Sequence, residues 1–513
     1  MAEHDAVVVG SGVNGLACAA LLAKAGWDVC VLERNDWFGG CIRTGEITQP
    51  GFRHDVFSAW HPLWVGGAAH AQLADDLGRH GLEYVNTDLP TATAFPDGES
   101  AFLLRSAEGN KDEIGPEWPA VLERFFPNAD LAFGVLGVEL WSRHGAGLAW
   151  KTVRRLGADG ARAFAGELLL SARDWLESTF ASPKAHGLIA PWVLHTGLGP
   201  DAAASGYMAQ VIAVAVQEGG MPIPVGGGAR LADALVAFVR AQGGTCVAGT
   251  HVERVFSGGV RVAGGETVGA RRAVICNVTP TQLYGELLGG TPPPFRYGRS
   301  EMQIHFALSE PPRWEGDDRL AKTAIVHLTP GLDGVSRAVN EAERGLLPAE
   351  ATVVVGQPLT MDPSRAPEGR GLLWIQLQEL PWRVKGDAAG EIDVGEGTWT
   401  ESLRERYAAR IQARIARHIP NLESSILHRV CLSPADLWRA NVNLVRGDPY
   451  GGSLALDQSF LWRAPHRTPV KGVWHVGAST HPGPGLGGGS GALVAQQLLE
   501  PPLAKRLASR LRL

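Results

Sequence analysis

The stretch VVVGSGVNGLACAALLAKAGWDVCVLERNDWFGG, residues 7 to 40, limits what this chain can fold into more than any other part of it. Ala6 to Val9 is an unbroken apolar run, as a parallel strand buried on both faces requires. Gly10, Gly12 and Gly15 follow as GxGxxG. The first allows a tight turn, the second lets backbone approach a pyrophosphate, and the third lets a helix pack closely on the strand. The spacing predicts a helix from Val13 to about Ala25, with Gly26 as its stop. Its amino end would present free N–H groups and a positive dipole to phosphate. A second strand, Val29 to Leu32, leads into Glu33. A carboxylate there accepts hydrogen bonds from a ribose 2′-hydroxyl and repels a 2′-phosphate. Strand, glycines, helix, strand and acid in register predict a dinucleotide site that disfavours NADP.

Gly39-Gly40 follows Glu33 within seven residues, then Cys41-Ile42-Arg43-Thr44. A domain that binds only a nicotinamide cofactor has no need of a second glycine turn there. The arrangement resembles the flavoproteins of the phytoene desaturase and amine oxidase superfamily, in which a glycine pair after the second strand is usually followed by arginine and then Ser or Thr. Thr44 matches that pattern. Cys41 stands where the first arginine usually does, and Arg43 brings a charge two positions later.

Later segments extend the resemblance over nearly the whole chain. GGMPIPVGGGARLADALVAFVRAQGGTCVAGTHVERV (219 to 255) reads as glycine turn, helix and strands, with Leu231, Leu235 and Phe238 at helical spacing. RRAVICN (271 to 277) returns as a strand. GVWHVGASTHPGPGLGGGSGALVAQQLL (472 to 499) gives a strand at Val473 to Val476, a glycine-rich loop, and a helix from Ala492 to Leu499. So much glycine lets backbone approach a flat ligand closely. A helix amino end after it can stabilise negative charge on the reduced ligand. GASTHPG, GQPLTMDPSRAPEG (356 to 369) and DPYGGSLALDQSFLWR (448 to 463) resemble the subgroup with carotenoid ketolases and bacterial relatives of pyridine nucleotide-disulfide oxidoreductase domain proteins.

The resemblance implies an α/β chain with a Rossmann-type, glutathione reductase-like FAD-binding domain and an α+β substrate domain built on a mixed sheet. The FAD domain would be discontinuous, at 1–70, 215–290 and 440–513, and the substrate domain would take 71–214 and 291–439. In the latter, ARAFAGELLLSARDWLESTF (161 to 180) has an amphipathic helical pattern, while MQIHFAL (302 to 308) and LLWIQLQEL (372 to 380) alternate as strands do. The cofactor contacts implied are Gly10, Gly12, Gly15, Glu33, Arg34, Gly39, Gly40, Arg43 and Thr44 from the amino-terminal unit. Val252 would touch the adenine, and Gly477, Ala478, Ser479, Leu486 and Gly487 would lie in the carboxy-terminal loop. No cysteine lies in that loop, so FAD is expected to be held without a covalent link.

A flavin carries hydride chemistry itself, so the chain needs to supply position, charge and dryness rather than a catalytic triad. RHDVFSAWHP (53 to 62) is expected beside the ring. His54 and His61, with Asp55, are its titratable groups, and His481 lies in the last loop. Any of the three histidines could act as base or hydrogen-bond donor, or simply fill space and orient backbone. His195 and His305 are weaker candidates, near a helix end and on a strand.

The implied reaction is dehydrogenation of an apolar or conjugated small molecule, with oxygen, a quinone or another compound as electron acceptor. Saturases, isomerases and ketolases use the same scaffold. Amine oxidases of the superfamily face the flavin with aromatic rings, one just before the final helix; here GPGLGGGSGA (483 to 492) has none. A carrier of lipidic ligands, like the Rab escort and GDP-dissociation-inhibitor proteins, is the reading outside enzymes. Glu33 and the full glycine loop weigh against it.

Bulk properties narrow the partners. A net charge of −6 argues against nucleic acid. Six cysteines without CxxC spacing predict neither a metal site nor a disulfide frame, and a reduced, cytoplasmic setting. Nothing before Ala6 reads as a signal peptide, and no apolar run is long enough to span a membrane. The sixteen tryptophans read mostly as core fillers, with an apolar tunnel as the sharper alternative. LAKRLASRLRL (503 to 513) reads as a solvated helix end, or as a weak membrane-surface anchor.

Overall fold

The structure is a computed structural model that describes residues 3 to 500. The opening run becomes the central strand Glu3–Val9 of a parallel core. Val29–Leu32 pairs on one side and Thr267–Asn277 on the other, with Thr245–Val247 and Val473–Val476 beyond them. Four of the segments expected as strands therefore meet in one sheet. All four residues of Val29–Leu32 are buried, as a strand covered on both faces demands.

One face of this sheet packs against helices Val13–Lys24, Ala68–Arg79, Ala229–Ala241 and Gly489–Leu499. The other is covered by the strands Val252–Phe256 and Gly259–Val262 and by a short helix carrying Leu283 and Leu287. The helix Ala68–Arg79 contributes Ala69, Leu73 and Leu77 to the first core. A domain boundary at 70 would cut it in two, and one at 215 would cut the helix Ser205–Gly219.

A second seven-stranded sheet has the order 426–432, 300–308, 371–380, 353–356, 325–328, 91–94, 100–103. Its pairings are antiparallel except that of Ile325–Leu328 with Thr91–Ala94, so the sheet is mixed. Met302, Ile304, Phe306, Leu373, Ile375 and Leu377 face the helix Glu401–Ala416 in one core. Their neighbours of opposite parity, among them Glu301, Gln303, Trp374, Gln376 and Gln378, face the other way.

A third core is helical, formed by residues of the helices between 107 and 219 with Trp118, Trp175 and Trp192. The amphipathic pattern at 161 to 180 is divided between the helices Arg143–Glu167 and Ala172–Thr179, because Ser171 caps the second by accepting a hydrogen bond from the Asp174 N–H. Nine of the sixteen tryptophans are buried, so most of them fill cores.

Candidate functional site

The carboxyl ends of the parallel strands open on a cavity of about 1560 Å3 that continues to the polar face of the second sheet. At its inner rim Gly10 turns with φ +89°, a conformation that side chains disfavour. A Cβ on Gly12 would stand 2.5 Å from Asn277 Nδ2, and one on Gly40 would stand 3.1 Å from the Gly12 Cα. The second glycine pair therefore packs directly onto the first turn. The helix Val13–Lys24 has no side-chain cap, so its first N–H groups are available to an anion at the cavity wall.

Glu33 ends the second strand, 8% exposed, on the same wall. Its Oε2 accepts from the Ser11 N–H and hydroxyl, at 2.8 and 2.7 Å, and its Oε1 from the Asn35 N–H at 2.8 Å. The carboxylate is thus oriented before any ligand arrives. Arg34, Gly39, Gly40 and Val252 line the cavity beside it.

Next to them Gly477, Ala478, Ser479, Leu486 and Gly487 line the wall, and a second uncapped helix, Gly489–Leu499, starts there after Gly488. The two helix amino ends are locked side by side: a Cβ on Gly491 would fall 1.9 Å from the Asn14 carbonyl oxygen. Two anion-stabilising ends and one carboxylate on one wall suit a dinucleotide whose far end becomes negatively charged on reduction. These groups fit FAD.

Three of the expected contacts stand behind that wall. Gly15 abuts the Gly10 carbonyl, where a Cβ would come within 2.6 Å. Arg43 lies over the Trp37 ring at 4.2 Å. Thr44 donates to Asp55 Oδ1 at 2.7 Å and accepts from the Ala229 N–H at 3.1 Å. Asp55 in turn accepts from the Gly228 N–H and from buried Arg365, both at 2.7 Å. Arg365 also donates to Asp362, which holds the Gly226 N–H. The segment 356 to 369 therefore braces the glycine turn at 226 to 228.

The three catalytic candidates are corrected by their placement, since none lines the cavity. His54 bonds Thr48 at 2.8 Å and packs edge-on against His305 at 5.3 Å; burial and that neighbour hold it far below its usual range. His61 bonds the Tyr84 hydroxyl at 3.1 Å, and burial lowers it to about 4. His481 is likewise lowered to about 4 by burial. Burial thus favours the neutral form of all three. Of the weaker candidates, His305 is buried off the cavity, whereas His195 lines it and bonds His327 at 3.1 Å.

The reactive-looking group on the wall is one that sequence reading missed. Glu301, 4% exposed, accepts from Gln376 Nε2 at 2.9 Å and from the Tyr450 hydroxyl at 3.0 Å. Burial pushes its carboxyl up to about 7, although those donors pull the other way. Tyr450 is held there by its own loop. Asp448 accepts from the Gly298, Tyr450 and Gly452 N–H groups, while Arg463 donates to the carbonyls of Tyr450, Ser453 and Ala478. Asn277 was also missed. The alternation E-M-Q-I-H-F at 301 to 306 is the sequence signal that could have exposed Glu301.

Among the described residues no group of three His, Cys, Asp or Glu side chains is placed to hold a metal ion. No helix there is long and apolar enough to cross a membrane. The tract 503 to 513 lies outside the described residues.

The model of the NAD(P)-binding Rossmann-like domain family matches residues 8–77. The chain is 26% identical to pyridine nucleotide-disulfide oxidoreductase domain-containing protein 2 of Rattus norvegicus, over 95% of this chain and 92% of that one. It is 27% identical to the zeta-carotene-forming phytoene desaturase of Myxococcus xanthus, over 94% and 90%. Wild-type putrescine oxidase bound to putrescine superposes with a TM-score of 0.60, at 17% identity, over 97% of this chain and 99% of that one. The chain thus resembles the phytoene desaturase-like proteins along nearly its whole length and shares the fold of the flavin amine oxidases.

Proposed function

We propose that this chain is an FAD-dependent oxidoreductase that dehydrogenates an apolar or conjugated small molecule. The observation that carries the reading is the single cavity joining the glycine cradle and Glu33 to the inner face of the second sheet. A cofactor lying along one wall and a substrate against the other would share one enclosed space.

Glu33 would hold the adenosine ribose, with Gly10, Gly12 and the start of the first helix at the pyrophosphate. The loop from Gly477 to Gly487 would lie along the isoalloxazine, and the helix after it would favour negative charge there. Bound non-covalently, FAD supplies a hydride acceptor. The chain's own residues position the substrate and exclude water, with Trp60, Trp192, Trp374, Met208, Leu454 and Phe460 forming much of the wall.

Amine oxidation is the second reading. The stretch 483 to 492 carries no ring, but Trp60 and Trp374 bring an edge-on aromatic pair to the cavity from other segments, with centroids 5.2 Å apart. We place the protein in the cytoplasm, where its six free cysteines stay reduced. Weak contact with a membrane surface is supported by exposed Trp141, Trp150 and Trp462.

The test is the visible spectrum of the purified protein and of the supernatant after acid precipitation, with mass spectrometry of the released molecules. FAD in the supernatant is the expected result. A colourless protein that cannot be reconstituted with FAD would overturn the proposal in favour of a lipid carrier.

A further inference from the structure

We infer that the sheet end of the cavity is a subsite for a hydrogen-bond-donating head group, an alcohol or an amine, on an otherwise apolar substrate. The inference deepens the proposed function and takes from it that this end of the cavity receives substrate.

The two central strands of the second sheet pair in regular alternation from Met302 onward, after a register shift between Ser300 and Met302. Gln303 pairs with Gln376 across them, and Ile304 with Ile375. The isoleucines and their neighbours fill the core beneath the sheet, while Glu301, Gln303, Gln376 and Gln378 line the cavity. Against a pure hydrocarbon, the polar atoms here that the protein leaves unpaired would stay so, which is unfavourable for each. Two of the four side chains carry an amide oxygen that no described residue pairs. Gln303 and Gln378 are each 2% exposed, and the Oε1 atoms of both have no partner among the described residues. Glu301 is steadied by Gln376, Tyr450 and Gln378, and a carboxylate has more lone pairs than those three donors use. What this end offers is therefore acceptors.

Charge narrows the head group further. Among the described residues lining the cavity, Arg34 is the only arginine or lysine, and it stands beside Glu33 at the nucleotide end. A carboxylate or phosphate head would meet Glu301 with no cation in reach. A neutral hydroxyl or an ammonium would not. With its carboxyl raised to about 7, Glu301 is open to either partner near neutral pH. The apolar remainder of the substrate would lie against Met208, Val211, Ile212, Leu454 and Phe460.

The test uses the flavin-loaded protein and four probes of one chain length: octan-1-ol, octylamine, octane and octanoate. Calorimetry should find octanol, octylamine or both bound about tenfold more tightly than octane and octanoate, which one hydrogen bond to a charged acceptor can supply. Which of the two binds distinguishes a neutral head from a cationic one. Glu301→Gln, nearly the same shape, should lose about tenfold for octylamine and little for octanol; Glu301→Leu with Gln378→Leu should favour octane. Octane or octanoate bound as tightly as the other two, or no probe bound at all, would overturn the subsite. The flavin absorbance of the same samples reports separately on the proposed function. A protein without flavin counts against that function, while the order of probe affinities still decides the subsite.

Discussion

Glu33 and Glu301 are both buried carboxyls on one wall system, and their surroundings give them opposite tasks. Glu33 sits among three N–H and O–H donors that fix the direction of its oxygens, as a ribose acceptor needs. Replacing it with arginine should abolish FAD retention and leave the far-ultraviolet circular dichroism unchanged. Full flavin occupancy in Glu33→Arg would contradict the assignment. Glu301 has burial against it and Asp448 nearby, so its proton is held more tightly in the native state than in the unfolded chain. Native stability therefore drops as pH rises from the ordinary carboxyl range towards about 7. A rise from 4.5 to about 7 corresponds to roughly 3 kcal/mol. Urea titrations of the protein and of Glu301→Gln should show their stability difference shrinking, or reversing, by up to roughly that amount from about pH 4 to about pH 8. A pH-independent difference would show that Glu301 is not buried as described. The histidines at 54, 61 and 481 each sit in a segment near the site, yet burial favours their neutral form and none lines the cavity.

Among elements, the decisive contact is between the helices Val13–Lys24 and Gly489–Leu499. The second was expected to start at Ala492, because glycines 487 to 491 read as loop. It starts three residues earlier, since Gly488 at φ +66° turns the chain into it and Gly491 is the residue small enough to meet Asn14. Gly491→Ala should force the two helix ends apart. The expected cost is about 1–3 kcal/mol in thermal or urea unfolding, together with faster loss of flavin on dilution. Normal stability and normal flavin retention would show that the contact relaxes without consequence. The loop 448 to 463 belongs to this scale as well. Asp448 and Arg463 tie it to Gly298 and Ala478, so this loop, the chain at 298 and the carboxy-terminal glycine motif are one structural unit around Tyr450.

The molecule as a whole sets two sheets and a helical core around one cavity, and several large apolar side chains are exposed on its surface. Leu63 and Phe133 are on the cavity lining and also exposed. Trp141 is 75% exposed and donates to the Leu461 carbonyl at 2.6 Å, next to exposed Trp462; Trp150 is 62% exposed. Aromatic side chains of this kind settle at a membrane interface, with their rings in the acyl boundary and their N–H groups in the headgroups. The triple change Trp141→Ser, Trp150→Ser and Trp462→Ser should lower partition onto phospholipid vesicles at least about tenfold, given the apolar area each ring removes from water. Flavin content should stay the same. Unchanged partition would remove the membrane-surface role from these tryptophans.

The nucleotide half of the protein was legible because its information is local. A glycine turn, the helix amino end after it and the acid at the next strand end lie within 24 residues, Gly10 to Glu33, and backbone sterics leave them few arrangements. The alternating runs at 302 to 308 and 372 to 380 likewise announced strands. Alternation does not say which face meets a cavity and which meets a helix. Glu301 acquires its partners from Gln376, 75 residues away, and Tyr450, 149 away. Its proton affinity depends on the water those neighbours exclude. Desolvation belongs to the assembled cavity and to no single segment, so tertiary structure alone decided where the buried carboxyl on the second sheet would stand.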